Sequence, residues 1–204
     1  MLALLLVAAA GCSPDAAGTK AIGRVDAVEG SSSILHDGAR SAAVVGAGLE
    51  ARDSIETGTD GKIRIIFIDA SVLAIGAGTH LALSELQIDD SNRSGRIDVA
   101  IGKFWMQVSK WQKPGSSRYE IATPNAVAGV RGTTLWGDTQ VDAICALEGS
   151  IEVRSLKQSA LPPATLSAGN CASALSQGKL EPMTPSSQQL QRYLGEVLIG
   201  APVP

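Results

Sequence analysis

Few residues in this chain are of a type that does covalent chemistry. Its 204 residues include two histidines, His36 and His80, and three cysteines, Cys12, Cys145 and Cys171. No G-x-S-x-G elbow is present, so a serine triad has little support. The histidines lie far from Cys145 and Cys171 in sequence, and neither C-x-x-C nor H-x-x-x-H spacing occurs. No metal site and no cofactor are therefore expected. Gly76-Ala77-Gly78 is followed by a strand pattern rather than a helix, so it lacks the context of a nucleotide-binding loop. Asp89-Asp90 lies in the polar run to Gly95 and reads as a solvated turn. The expectation is a protein that is not an enzyme.

What remains is recognition chemistry. Arg131 stands inside the otherwise apolar, glycine-punctuated stretch Thr123-Pro124-Asn125-Ala126-Val127-Ala128-Gly129-Val130-Arg131-Gly132-Thr133-Thr134. This stretch reads as a strand edge or a tight turn. Pro124 fixes its own φ and keeps Thr123 extended. Gly129 and Gly132 allow positive φ or a close approach of another strand. A guanidinium there offers five donors in a rigid fork. One reading has Arg131 tying neighbouring carbonyls or a carboxylate together, with Glu148, just ahead of Gly149, as a possible partner. The other has it recognise a carboxylate of a binding partner. A second candidate is aromatic. In Gly102–Trp111, alternation puts Phe104, Met106 and Val108 inward, and Trp105 and Trp111 on the face of Lys103, Gln107 and Ser109. Two tryptophans on a polar face would suit stacking of a glycan or peptide. The alternative is that both pack beneath a loop or the tail.

The elements that must position these residues are strands. Gly23-Arg24-Val25-Asp26, Gly61-Lys62-Ile63-Arg64, Gly95-Arg96-Ile97-Asp98 and Gly149-Ser150-Ile151-Glu152 each open a period-two run, the mark of a half-buried strand. The reading is an all-β fold, a compact sandwich or roll of about ten to twelve short strands, with an aliphatic core because aromatic residues are only 3%. Near the end, Leu190, Tyr193, Leu194, Val197 and Leu198 fall on one face of a short amphipathic helix, with Ser186 or Ser187 as its cap and Gly195 weakening it. The net charge of -3 and the absence of a basic patch argue against nucleic acid as a partner.

The ends suggest an exported protein. Met1–Ala10 is apolar without a break, too short to span a bilayer but suited to a signal peptide. Ala9-Ala10-Gly11-Cys12 resembles a bacterial lipobox, which makes Cys12 the lipid-attachment residue. The alternative is an ordinary secretory signal in which Cys12 is incidental. This gives a signal peptide over 1–11, a tether over 12–20, a β domain over 21–173, and a polar linker with the helix over 174–204. Cys145 and Cys171 then remain as an even pair, which in an exported chain suggests a disulfide; buried free thiols are the other possibility. The loop closed would be worth about 3 kcal/mol in the chain-entropy model.

Several passages together resemble the FecR-domain family, covering about residues 22–172. The central one is Thr123–Thr134, with Pro124, Gly129, Arg131 and Gly132. Around it in order stand Ala51-Arg52-Asp53-Ser54-Ile55-Glu56-Thr57-Gly58, with Arg52 where the family has glycine, and Asp69-Ala70-Ser71-Val72-Leu73-Ala74-Ile75-Gly76, with Ala70 likewise. Leu147-Glu148-Gly149-Ser150-Ile151-Glu152-Val153 and Leu166-Ser167-Ala168-Gly169-Asn170 complete the set. The resemblance implies a bacterial envelope module. Members with the full architecture are inner-membrane sensors whose cytoplasmic segment controls a sigma factor. This chain reads as a stand-alone version lacking the cytoplasmic anti-sigma segment. The expected function is a non-enzymatic, lipid-anchored periplasmic module, at the outer membrane by analogy, that binds a protein partner. Binding of peptidoglycan or another envelope glycan is the alternative, and a structural envelope lipoprotein the third.

Overall fold

The computed structural model describes residues 20–89, 93–111, 117–173 and 183–200. Alternating apolar residues set the first half: β1 (Gly23–Glu29), β2 (Ser32–His36), β3 (Ala39–Ala42), β4 (Gly48–Leu49), β5 (Ser54–Thr57), β6 (Lys62–Phe67), β7 (Val72–Ile75) and β8 (His80–Ile88). The second half comprises β9 (Arg93–Ile101), β10 (Lys103–Gln107), β11 (Ser117–Ala122), β12 (Ala126–Val130), β13 (Thr134–Asp138), β14 (Ala143–Glu148), β15 (Ser150–Ser155), β16 (Ala164–Ser167) and β17 (Cys171–Ser173), followed by α1 (Ser187–Val197). The fold is all-β with one short helix, as the alternation predicts. The described strands number seventeen, more than ten to twelve, because short runs such as β3, β4 and β5 have too few residues to show a period.

The strands form two sheets. The eight-stranded sheet has the order β17-β14-β13-β10-β7-β6-β1-β4, and the nine-stranded sheet β16-β15-β12-β11-β9-β8-β5-β2-β3. All pairings are antiparallel except β9 with β11. A parallel pair needs a crossover, and here the chain crosses to the other sheet as β10 between them. The inner faces meet in one aliphatic core. Ile63, Ile65 and Phe67 of β6 and Phe104 and Met106 of β10 pack with Ile97 and Val99 of β9 and Tyr119 and Ile121 of β11. Inward Phe104, Met106 and Val108 follow the expected alternation. Ile66 is half-buried on the opposite face, and Ile68 is exposed.

That opposite face of the eight-stranded sheet is also apolar, and α1 covers it. Val72, Ala74, Trp105, Trp136, Cys145 and Cys171 form a second cluster with Val197, flanked by Tyr193, Leu194 and Leu198. Tyr193 stacks on Trp136 with ring centroids 4.2 Å apart. Ser186 caps the helix through a reciprocal box with Gln189. Lys62 and Arg64 of β6 donate to the carbonyls of Gly195 and Ile199 at its far end. Cys145 and Cys171 stand opposite each other in register between β14 and β17 and form a disulfide.

Two non-glycine residues sit in left-handed turns where the family resemblance expects glycine: Arg52 at φ 75° and Ala70 at φ 63°. An L side chain there is strained by roughly 1–2 kcal/mol. Ala70→Gly should therefore stabilise the fold, by about 0.5–1 kcal/mol after the extra chain entropy of glycine is deducted. Gly149 is the converse case. It lies at φ 69°, and a Cβ there would meet Thr133 Cγ2 at 2.7 Å. Gly149→Ala should destabilise by more than about 1 kcal/mol. Urea denaturation of the two variants beside the parent chain checks both signs.

Candidate functional site

Asp69 and Arg93 form an ion pair whose side chains are each 1% exposed, with Arg93 Nε 3.0 Å from Asp69 Oδ2. Two buried charges are tolerated only when paired and hydrogen-bonded, and the surroundings supply this. Asp69 Oδ2 accepts from Tyr119 Oη at 2.7 Å and from Ser71 Oγ at 2.9 Å, and Oδ1 accepts from the Ser71 amide at 2.9 Å. Arg93 Nη1 donates to Ser109 Oγ at 2.8 Å, and Nη2 to the Ser109 carbonyl. The Arg93 guanidinium also lies over the rings of Trp111 and Tyr119, at 5.1 and 5.6 Å from their centroids. Burial, and then the charge and hydrogen bond of Asp69, hold the Tyr119 hydroxyl far above the usual tyrosine range. The phenol therefore acts as a donor.

The cluster joins four segments: the β6–β7 turn, the start of β9, β11 and the chain leaving β10. The left-handed Ala70 lies between Asp69 and Ser71, so the strained turn folds Ser71 back onto the Asp69 carboxylate that faces Arg93. Asp69 belongs to a passage singled out in the sequence, but Arg93 carries no motif. It stands inside the polar run from Asp89 to Gly95 that reads as a solvated turn, whereas β9 begins at Arg93 and its side chain is buried, with a partner 24 residues away. Only the hydrophobic run that begins at Ile97 hinted that it could be drawn inward.

Arg131 does not play this part. It is exposed in the turn after β12, and among the described residues it makes no ion pair or hydrogen bond with Glu148. Glu148 is also exposed and accepts from Thr134 Oγ1 at 3.0 Å. The tying role expected of Arg131 is thus corrected to Arg93. The reason is register: β12 ends at Val130, so Arg131 leaves the sheet instead of entering it. Gly132 is left-handed at φ 61°, whereas Gly129 lies in the regular strand β12. Pro124 occupies the β11–β12 turn, where the Thr123 amide donates to the Ala126 carbonyl.

The aromatic platform is likewise corrected. Trp105 is 5% exposed, beneath α1 in the cluster of Trp136 and the disulfide. Strand β10 ends at Gln107, so alternation does not carry on to Trp111, which instead packs on Arg93. The two rings share no open face. Cys12 lies outside the described residues, and so does Asp90 of the polar turn.

One titratable cluster on the surface was not foreseen. His36, at the end of β2, places Nδ1 2.6 Å from Asp53 Oδ1. Asp53 is buried and also accepts the Glu50 amide at 2.8 Å. Glu50 and Asp37 carboxylates stand 3.9 and 3.7 Å from His36 Nε2. The Asp53 hydrogen bond, helped by the charges of Asp53, Glu50 and Asp37 against a smaller desolvation cost, raises the His36 pKa above its ordinary 6.5. Among the described residues no helix is long and apolar enough to cross a membrane, and no group of three or more His, Cys, Asp or Glu is placed to hold a metal ion.

Two predictions follow from these geometries. Arg93→Met leaves Asp69 buried without its cation and should cost about 3–5 kcal/mol, whereas Arg131→Gln should stay within about 0.5 kcal/mol of the parent; urea denaturation that gave the reverse order would return the tie to Arg131. A raised folded-state pKa at His36 means stabilisation fully present below the unfolded value and lost as pH rises through the folded one. Denaturation from pH 5 to 8 (approximate limits around the histidine range) should therefore show a decline that His36→Gln flattens.

Comparison with known proteins closes the case for the family. The fold is similar to two crystal structures of a candidate anti-sigma factor from Parabacteroides distasonis, at 2.50 and 1.65 Å resolution. They share 14% and 15% identity with this chain at a TM-score of 0.53 each, and the alignments cover 69% of it. At that identity the likeness speaks for the fold. The chain spans only 63% and 64% of the length of those proteins. No curated protein matches it significantly. The profile of the FecR protein family matches residues 53–156, a span that includes Asp69, Arg93 and Arg131, and on that match the chain belongs to the FecR family.

Proposed function

We propose that this chain is a non-enzymatic envelope module, held to a membrane by lipid on Cys12, that binds a protein partner in signal transduction. The observation that carries this reading is the family match over residues 53–156. The fold likeness to a candidate anti-sigma factor supports it. The construction of the molecule supports it too. Its charged cluster is locked inside by Tyr119, Ser71 and Ser109, where it holds the sheets together and meets no solvent. What the protein offers a partner is surface: among the described residues the outer face of the nine-stranded sheet presents Gln87, Arg118, Glu152 and Arg154 to solvent, while α1 lies on that of the other sheet.

The lipobox-like Ala9-Ala10-Gly11-Cys12 and the small, polar Ser13–Thr19 suit a lipid anchor followed by a flexible tether. An outer-membrane location rests on the same reading, as do the boundaries of signal peptide, tether and β domain. The test is cross-linking in native cells through a tagged chain, followed by mass spectrometry. One protein recovered in stoichiometric amount is the expected result. Recovery of muropeptides alone would overturn the partner reading. The same spectrum should show acyl chains on Cys12, and an unmodified Cys12 would remove the anchor.

A further inference from the structure

The outer face of the nine-stranded sheet carries an open trough in two halves. The first, of about 480 Å³, lies over β8, β9 and β11, and the second, of about 370 Å³, over β11, β12, β15 and β16; Arg118 lines both. In register, Glu85, Arg96, Glu120, Gly129, Glu152 and Thr165 follow one another across it. Its middle is internally compensated. Arg118 Nη2 is 3.1 Å from Glu120 Oε1, and Arg96 Nη1 is 3.9 Å from Glu120 Oε2. Its ends are not. Arg52 lines the first half and Arg131 the second; both are exposed, and among the described residues neither has an ion-pair partner.

Two positions in this trough depart from what local stability favours. Arg52 holds a left-handed φ of 75° that glycine would adopt without strain. Gly129 lies within strand β12, where a side chain normally adds stability. A Cβ there would meet nothing closer than the Arg118 guanidinium at 3.6 Å, an ordinary contact. The sequence thus keeps a strained cation at one end and a bare floor beside Arg118. Strain retained at an exposed charged residue is a mark of a functional surface.

We propose that this trough seats an extended acidic segment of the protein partner, with Arg52 and Arg131 each taking one carboxylate. This rests on the partner-binding reading above and assigns it a surface. Arg52 and Arg131 stand three to four strand spacings apart, about 15–20 Å, which an extended chain covers in about five residues. Glu85 and Glu152 also line the trough, without cationic partners among the described residues. They repel a continuous polyanion, so the surface selects two spaced carboxylates over a run of them.

The probe is a labelled synthetic peptide of about ten residues with two glutamates about five positions apart, followed by fluorescence anisotropy on the full chain at low salt. The glutamine version should not bind, and Arg52→Gly with Arg131→Gln should weaken binding about tenfold. Arg52→Gly alone should weaken binding while raising the melting temperature, which a purely structural arginine would not do. Equal binding to the double variant, equal binding of an all-glutamate peptide, or no binding to the parent chain would overturn the proposal. In cells, a photo-reactive residue at Gln87 or Ser150 should capture the partner, and one at Gln191 on α1 should not. Capture from Gln191 alone would sink this surface and leave the partner-binding function standing, whereas capture from none of the three would count against that function itself.

Discussion

The Asp69–Arg93 pair is the constraint around which the rest is arranged. Two charges removed from water cost several kcal/mol each unless every lone pair and proton finds a partner. Here the partners come from both sheets: Ser71 and Ser109 flank β7 and β10 of one, and Tyr119 sits on β11 of the other. The sheets can therefore approach in few registers without orphaning a charge. Aliphatic packing alone is forgiving of small slips; a buried ion pair held by hydrogen bonds from Tyr119, Ser71 and Ser109 is less so. The strained turn at Ala70 makes sense in the same terms, since it lets Ser71 bond the Asp69 carboxylate that pairs with Arg93.

The two outer faces of the sandwich have opposite characters. On the eight-stranded sheet, Trp105, Trp136 and the disulfide would leave a large apolar patch in water, and α1 lies across it. An isolated helix of eleven residues is marginal in water, so α1 depends on that platform as much as the platform depends on α1. The disulfide fixes β17 to β14, and Cys171 in turn bridges to Met183 just ahead of the helix. Covalent and apolar ties thus hold the tail in place. Among the described residues no helix covers the nine-stranded sheet, whose exposed outward residues include Gln87, Arg118, Glu152, Arg154 and Thr165.

Family membership and function rest on different observations. The family follows from a profile match over half the sequence, and the fold likeness to a candidate anti-sigma factor agrees with it. A fold hosts many functions, so the role has to be argued from surfaces. The family segment around Arg131 contributes a strand, β12, to the middle of the nine-stranded sheet. The arginine itself emerges at the strand's end, where it is available to a partner and does nothing for the core.

Much of the architecture was legible in the sequence. Period-two alternation gave β6, β9, β10 and β15 and the inward set Phe104, Met106 and Val108, because the side-chain period of a strand is a local property. The helix and its cap were legible for the same reason, and the two cysteines left after Cys12 pointed to their bond. Short, alanine- and glycine-rich strands such as β12 escaped, since they hold too little contrast between faces. What the sequence could not decide was which arginine is buried and which tryptophan is covered. Arg93 and Arg131 have similar polar or glycine-bounded neighbours. Only the crossover that sets β9 beside β11 in parallel brings Tyr119 and the Asp69 turn to Arg93. Likewise only the docking of α1 closes the face of Trp105. Both depend on contacts between residues distant in the chain, and no local pattern encodes them.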